Sequence, residues 1–237
     1  MLWPSYQQAV FALDPAAGLT DGNLWKDSGP NGFDWTPNAN YAAPAYGIAP
    51  GPSGAPYIGF NGANQYGTLA AAPMARFYAT CAGVARFTVA IVARHNAPAA
   101  NDIIFNTMDG GGTRGLILRY LAAERLFLRG LDAAAAASLY ALESTDASYT
   151  SRTRVTILSA FGADAYGWVD GVQRTMTFPT AGNGNAVGWN AAIVPTVGAF
   201  SGGGFYFDGD LYFLGIWPLI FTDSEARAFS AYWMDRT

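Results

Sequence analysis

The chain is written in short apolar runs. Stretches of about four to eight aliphatic, β-branched and aromatic residues alternate from end to end with clusters of Gly, Pro, Asn and Asp. Such punctuation leaves room for strands and for little else, because an amphipathic helix needs a longer unbroken 3.6-residue periodicity. The runs fall at 8–13, 57–60, 65–69, 87–94, 102–107, 115–120, 125–130, 153–161, 165–169, 172–178, 192–199 and 205–217. With 28 Gly and 13 Pro supplying turns and only 13% of residues charged, the expectation is an all-β chain. Runs of this length between turn clusters are the strand signal of an antiparallel β-sandwich or a barrel. At 237 residues the sequence predicts one domain over 1–237, a length at which sandwiches fold as a unit.

Local signals sharpen this picture. Tyr166 to Arg174 spells a hairpin in which Asp170-Gly171 takes the two central positions that need positive φ. Gly115–Tyr120 and Arg125–Gly130 form a second hairpin, whose arginines alternate with apolar residues as on a half-solvated face. Near the end, Thr222 and Glu225 compose a capping box ahead of Ala226, Phe229, Ala231, Tyr232 and Trp233, which predicts a short C-terminal helix. Ala133–Ala137 suits a short helix, and 36–56 is a long loop or arm of the kind that often makes contacts.

Several classes of function fall away. The 12 Arg and one Lys, Lys26, are scattered singly among 17 acidic residues for a net charge of -4, so no basic patch exists for nucleic acid. No apolar run reaches the roughly 18 residues of a membrane span, and the opening Met1-Leu2-Trp3-Pro4-Ser5 lacks the basic-then-apolar pattern of an export signal. A soluble protein, such as a virion or assembly component, is therefore expected. Cys81, in an apolar neighbourhood, reads as a small buried hydrophobe, and a single cysteine excludes an internal disulfide.

Five pieces carry a resemblance. In order they are Trp25-Lys26-Asp27-Ser28-Gly29-Pro30-Asn31-Gly32, the stretch from Tyr57 to Tyr66, the strand from Phe87 to Arg94, Arg154-Val155-Thr156-Ile157 with Trp168-Val169-Asp170-Gly171, and the closing run from Phe207 through Trp217 to Ala226. Together they resemble the laminin-G-like members of the concanavalin A-like lectin and glucanase superfamily. The resemblance implies a two-sheet jelly roll of about a dozen strands, with 57–66 as a hairpin and with ligands taken on one sheet face and its rim loops. It also implies calcium, held by hard oxygen ligands, for which Asp27, Asn31 and Asp208 are the matching residues. Asn61, Asn64 and Gln65 stand where the family's hairpin carries aspartate, and Tyr212 replaces its closing-strand aspartate.

Catalytic chemistry is sparse. Glucanases of the superfamily need paired acids on one strand face, whereas Glu124, Glu143 and Glu225 form no such pattern and Asp208 with Asp210 belongs to the closing-strand motif. The lone His95 gives a Ser-His-Asp triad or a Cys81–His95 pair only isolated support. No catalytic residue is assigned. A carbohydrate surface needs aromatic platforms beside amides, which loop residues Trp35, Tyr41, Tyr46 and Trp189 with Asn183, Asn185 and Asn190 would supply, while Trp25, Trp168, Trp217 and Trp233 read as core. For Trp189 surface and core readings weigh equally. The expected function is a non-enzymatic, glycan-binding or adhesive module at a virion or cell surface. The alternative is a decoration, spike or tail component of a bacteriophage-like particle, its arm lying on a neighbouring structural protein or on a second copy in a homo-oligomer. Glycoside hydrolysis ranks last.

Overall fold

The computed structural model describes residues 6–17, 24–40, 55–96, 102–109, 111–121, 125–143, 152–177, 181–201 and 204–237. Their strands are β1 (Phe11–Leu13), β2 (Trp35–Pro37), β3 (Ile58–Asn61), β4 (Gly67–Leu69), β5 (Arg86–His95), β6 (Ile103–Asn106), β7 (Gly115–Leu121), β8 (Arg125–Leu131), β9 (Ala137–Glu143), β10 (Arg154–Phe161), β11 (Asp164–Val169), β12 (Val172–Arg174), β13 (Met176–Thr177), β14 (Thr196–Val197) and β15 (Asp208–Trp217). Two helices join them, α1 (Ala71–Cys81) and α2 (Asp223–Met234). The strands form two antiparallel sheets, as expected. One has seven strands in the order β1-β15-β5-β10-β11-β12, with β3 also on β15; the other has eight in the order β13-β9-β8-β7-β6-β14-β4-β2.

Period-two alternation explains how the sheets meet. Val89, Ile91 and Ala93 of β5 and Leu158 and Ala160 of β10 face Leu116, Leu118, Leu126 and Leu128 of the other sheet in one shared core. The residues between them, Ala90, Val92, Val155 and Ile157, point the other way and are equally apolar. Helix α2 covers them with Ala226, Phe229 and Trp233. Its rings interlock with the sheet's: Phe213 lies 5.1 Å from Trp233 and 5.3 Å from Phe229, and Trp217 5.0 Å from Phe221. The Trp168 indole donates to Asp223 Oδ1 at 2.9 Å and fixes the start of the helix on the sheet.

The hairpin at 166–174 is formed, with Asp170 at φ 50° and Gly171 at φ 76°, the conformation a two-residue turn of this kind requires. β7 and β8 pair along their whole lengths. The capping box is present: Thr222 Oγ1 accepts from Glu225 N, and Glu225 Oε2 accepts from Thr222 N at 2.7 Å.

Three expectations are corrected. Ala133–Ala136 is a turn rather than a helix, since the Asp132 carboxylate accepts from the N–H groups of Ala134 and Ala136 and Ala135 sits at φ 63°; Ala137 then opens β9, a strand hidden behind the alanines. Helix α1 is a second helix, in the stretch between the runs at 65–69 and 87–94 for which no element was expected; it has no side-chain cap, and Pro73 fits its first turn, where no backbone donor is needed. The stretch 57–66 is not a paired hairpin, because β3 joins the seven-stranded sheet and β4 the eight-stranded one. Residues 41–54 of the long arm lie outside the described residues.

Since α2 is held by its cap as well as its apolar face, Thr222→Ala is expected to cost about 1 kcal/mol of stability, read as a lower denaturant midpoint at unchanged slope.

Candidate functional site

Of the four loop aromatics singled out in the sequence, the two among the described residues, Trp35 and Trp189, are turned inward. Trp35 is wholly buried, its ring 5.3 Å from Phe11 and edge-on to Phe105, and this burial corrects its assignment to a ligand surface. Trp189 is half-buried: its Nε1–H donates to the Cys81 carbonyl at 3.1 Å and its ring packs edge-on against Phe77 and Phe87. Tyr41 and Tyr46 lie outside the described residues. The amides of the 181–190 loop serve the fold. Asn183 and Asn185 each donate an Nδ2–H to Asp132 Oδ2, at 2.8 and 2.9 Å, and Asn190 Oδ1 accepts from Ala192 N. Gly188 N–H donates to the Leu131 carbonyl and completes the clamp.

These bonds, with the Ala136 and Ala134 N–H groups, hold the Asp132 carboxyl down at about 2. A carboxyl depressed in the folded state stabilises above its ordinary value of 3.8 and loses that contribution as pH falls from there towards 2. Amide protection of residues 183–188, taken relative to the intrinsic exchange rate at each pH, is therefore expected to fall over that window, and Asp132→Asn to lower it at neutral pH.

The oxygen donors chosen for calcium do not converge. Asp27 is a backbone clasp, its Oδ1 accepting from Ala12 N and Gly29 N and its Oδ2 from Phe33 N, while burial pushes its carboxyl pKa up. Asn31 Nδ2 donates to the Val10 carbonyl at 2.8 Å. Through Ala12 this corner sits opposite Gly215 of β15, and Asp208 begins the same strand seven residues away, about 23 Å at the rise of an extended chain. The three residues cannot share one ion, and among the described residues no group of three or more His, Cys, Asp and Glu side chains is placed to hold one.

His95 is fully buried, its Nε2 2.7 Å from Asp102 Oδ2 and its ring stacked 4.6 Å from Tyr120. Cys81 lies beside the start of β5, through Trp189 and Phe87, whereas His95 ends that strand eight residues on, about 26 Å away. They form no nucleophile pair, and burial raises the Cys81 thiol pKa far above its ordinary range.

What remains is the outer face of the eight-stranded sheet, where Ile103, Met108, Ile117, Phe127 and Leu131 form a small buried cluster of their own. Along β7 and β8 the register sets Arg119 opposite Phe127 and Ile117 opposite Arg129, a checkerboard of two guanidinium groups and two apolar side chains. Arg119 Cζ lies 4.9 Å over the Phe127 ring, and the buried Nε of Arg129 has no hydrogen-bond partner among the described residues. The side of the checkerboard is built by Phe200 and Phe205, whose rings meet edge-on at 6.4 Å. Phe205 is 58% exposed and holds a φ of 50°, unusual for a bulky residue. Its carbonyl accepts from Ile103 N at 3.0 Å, which hangs this turn on β6. With Met108 these residues line a trough of about 300 Å³. The sequence signal was the alternation of Arg with apolar residues in β7 and β8; nothing in it pointed to Phe200 or Phe205.

No protein-family model and no curated protein matches the chain. Solved structures share its fold. The binding domain of botulinum neurotoxin DC, in complex with rat synaptotagmin II, is similar with a TM-score of 0.63 at 9% identity, over 96% of this chain and 52% of that one. The botulinum neurotoxin type G receptor binding domain has a TM-score of 0.59 at 10% identity, over 95% and 51%. A Trypanosoma rangeli sialidase has a TM-score of 0.60 at 15% identity, over 99% and 34%. The chain thus spans about half the length of the toxin domains and a third of the sialidase, and at these identities the likeness is one of fold.

Trp35→Ala is expected to cost about 3–5 kcal/mol of stability through the cavity it leaves, whereas Phe205→Ala should stay within about 0.5 kcal/mol of the parent in the same unfolding measurement.

Proposed function

We propose that the chain is a non-catalytic binding module and that it takes an acidic glycan across the trough of the eight-stranded sheet. The observation that carries this reading is the Arg119–Phe127 and Ile117–Arg129 checkerboard with the exposed Phe205 beside it. Aromatic faces receive the C–H side of a sugar ring, and guanidinium groups receive its carboxylates and hydroxyls in paired hydrogen bonds. A trough open along a sheet suits an extended chain rather than a small enclosed molecule. The similar solved structures support a binding role, two of them being binding domains of botulinum neurotoxins.

The reading is tested on an oligosaccharide array with neutral and acidic members, followed by calorimetry on the best ligand. Acidic chains should bind, and Phe205→Ala and Arg129→Gln should each weaken them by about tenfold or more, the value of one charged hydrogen bond or one stacked ring. Absence of binding across the panel, or binding indifferent to both substitutions, would overturn it.

A further inference from the structure

The geometry points to a second binding site on the opposite side of the sandwich, a pocket for the carboxylate of a single sugar acid. It lies on the outer face of the seven-stranded sheet, beyond the C-terminal end of α2, as a cavity of about 350 Å³ lined by Arg94, Arg152, Thr153, Val155, Tyr212 and Met234 among others. That volume is at the lower end for small-molecule sites and suits one ring.

A bulge builds it. In β15 the register against β5 runs from Leu211–Ala93 to Phe213–Val92, so Tyr212 is an extra residue without a partner of its own. The irregularity puts Tyr212 and Phe213 on the same face. Phe213 fills the space under α2, against Phe229 and Trp233, and Tyr212 is left past the helix beside Tyr57, ring centroids 5.4 Å apart. Bulges are commonly kept where a side chain must be re-aimed at a ligand. Thr153 lines the same cavity, so two hydroxyl-bearing side chains border it.

The charges are arranged for a monoanion. Asp170, in the β11–β12 turn, accepts on Oδ1 from Val155 N and on Oδ2 from both Arg154 Nη1 at 2.6 Å and Arg152 Nη2 at 2.9 Å. Arg154, with its side chain 13% exposed, is enough to neutralise that carboxylate; Arg152, 60% exposed, brings a second positive charge to the same oxygen. Across the cavity Arg94 faces solvent, balanced by Asp210, its neighbour in the ladder. Among these side chains three guanidinium groups stand against two carboxylates, leaving one positive charge between Arg94 and Arg152. One carboxylate answers that charge, and Val155 and Met234 give the ring an apolar flank.

The test is a titration of the whole chain, followed by amide chemical shifts, with D-glucuronate, with D-glucose and with inorganic phosphate. Glucuronate should saturate with shifts at Arg94, Arg152, Thr153 and Tyr212, and neither glucose nor phosphate should match its affinity. Arg152→Gln, at an exposed position, and Arg94→Gln should each weaken it at least tenfold, while Phe205→Ala leaves it unchanged. No saturable glucuronate binding, equal or tighter binding of phosphate or glucose, or loss in Phe205→Ala with both arginine variants intact, would overturn the proposal. Because the trough is read out by Phe205→Ala and the pocket by Arg152→Gln, either site can fail without the other.

Discussion

The apolar face that α2 covers decides how this molecule can be used. β5, β10 and β15 are buried along nearly their whole lengths on both sides, one side in the shared core and the other beneath α2. A strand apolar on both faces cannot end a sandwich; it needs a third layer, and the layer is supplied by twelve residues fixed through a capping box and the Trp168–Asp223 hydrogen bond. The outer face of the eight-stranded sheet is treated differently: Ile117 of β7 and Phe127 of β8 are buried in a small cluster against which Phe200 packs, with Arg119 and Arg129 partly exposed between them. The unequal treatment of the two sheets leaves a trough beside Phe200 and Phe205 on the second and, on the first, a cavity beyond the end of α2.

Much of the architecture is visible in the chain because it is local. The Asp170-Gly171 turn, the long runs of β5 and β15 and the Thr222–Glu225 box each depend on neighbours within a few residues, and each stands where it was read. Elements that depend on distant partners were not visible. Helix α1 carries no cap of its own and is held by burying Phe77, Tyr78 and Cys81, which no local pattern announces. β9 begins with Ala137, and what prevents a helix through the alanines before it is the Asp132 carboxylate five residues ahead of the strand, taking the backbone donors of the turn.

The site was harder to read for the same reason. Trp35, near Pro37 and Asn38, looks like a surface platform, yet it is the first residue of β2 and wholly buried, and Trp189 is half-buried because its loop folds back on the Cys81 carbonyl. The alternating arginines of β7 and β8 were legible as a half-solvated face, but their pairing with Phe127 and Ile117 is a property of the register across the hairpin. Tyr212 is a sharper case. A strand pattern places it on the face opposite Phe213, and only the bulge turns both the same way.

The trough and the pocket lie on opposite outer faces, with both sheets and the core between them. Sheets in a sandwich stand about 10 Å apart, and interiors at this packing density change by discrete repacking rather than by gradual deformation. The interposed residues, Leu118, Leu128, Ile91 and Leu158, are buried almost completely, and none is polar or placed on a hinge. A ligand on either face therefore has no element through which to bias the other, and the two occupancies should be independent. Occupation of one site would then leave the affinity of the other unchanged.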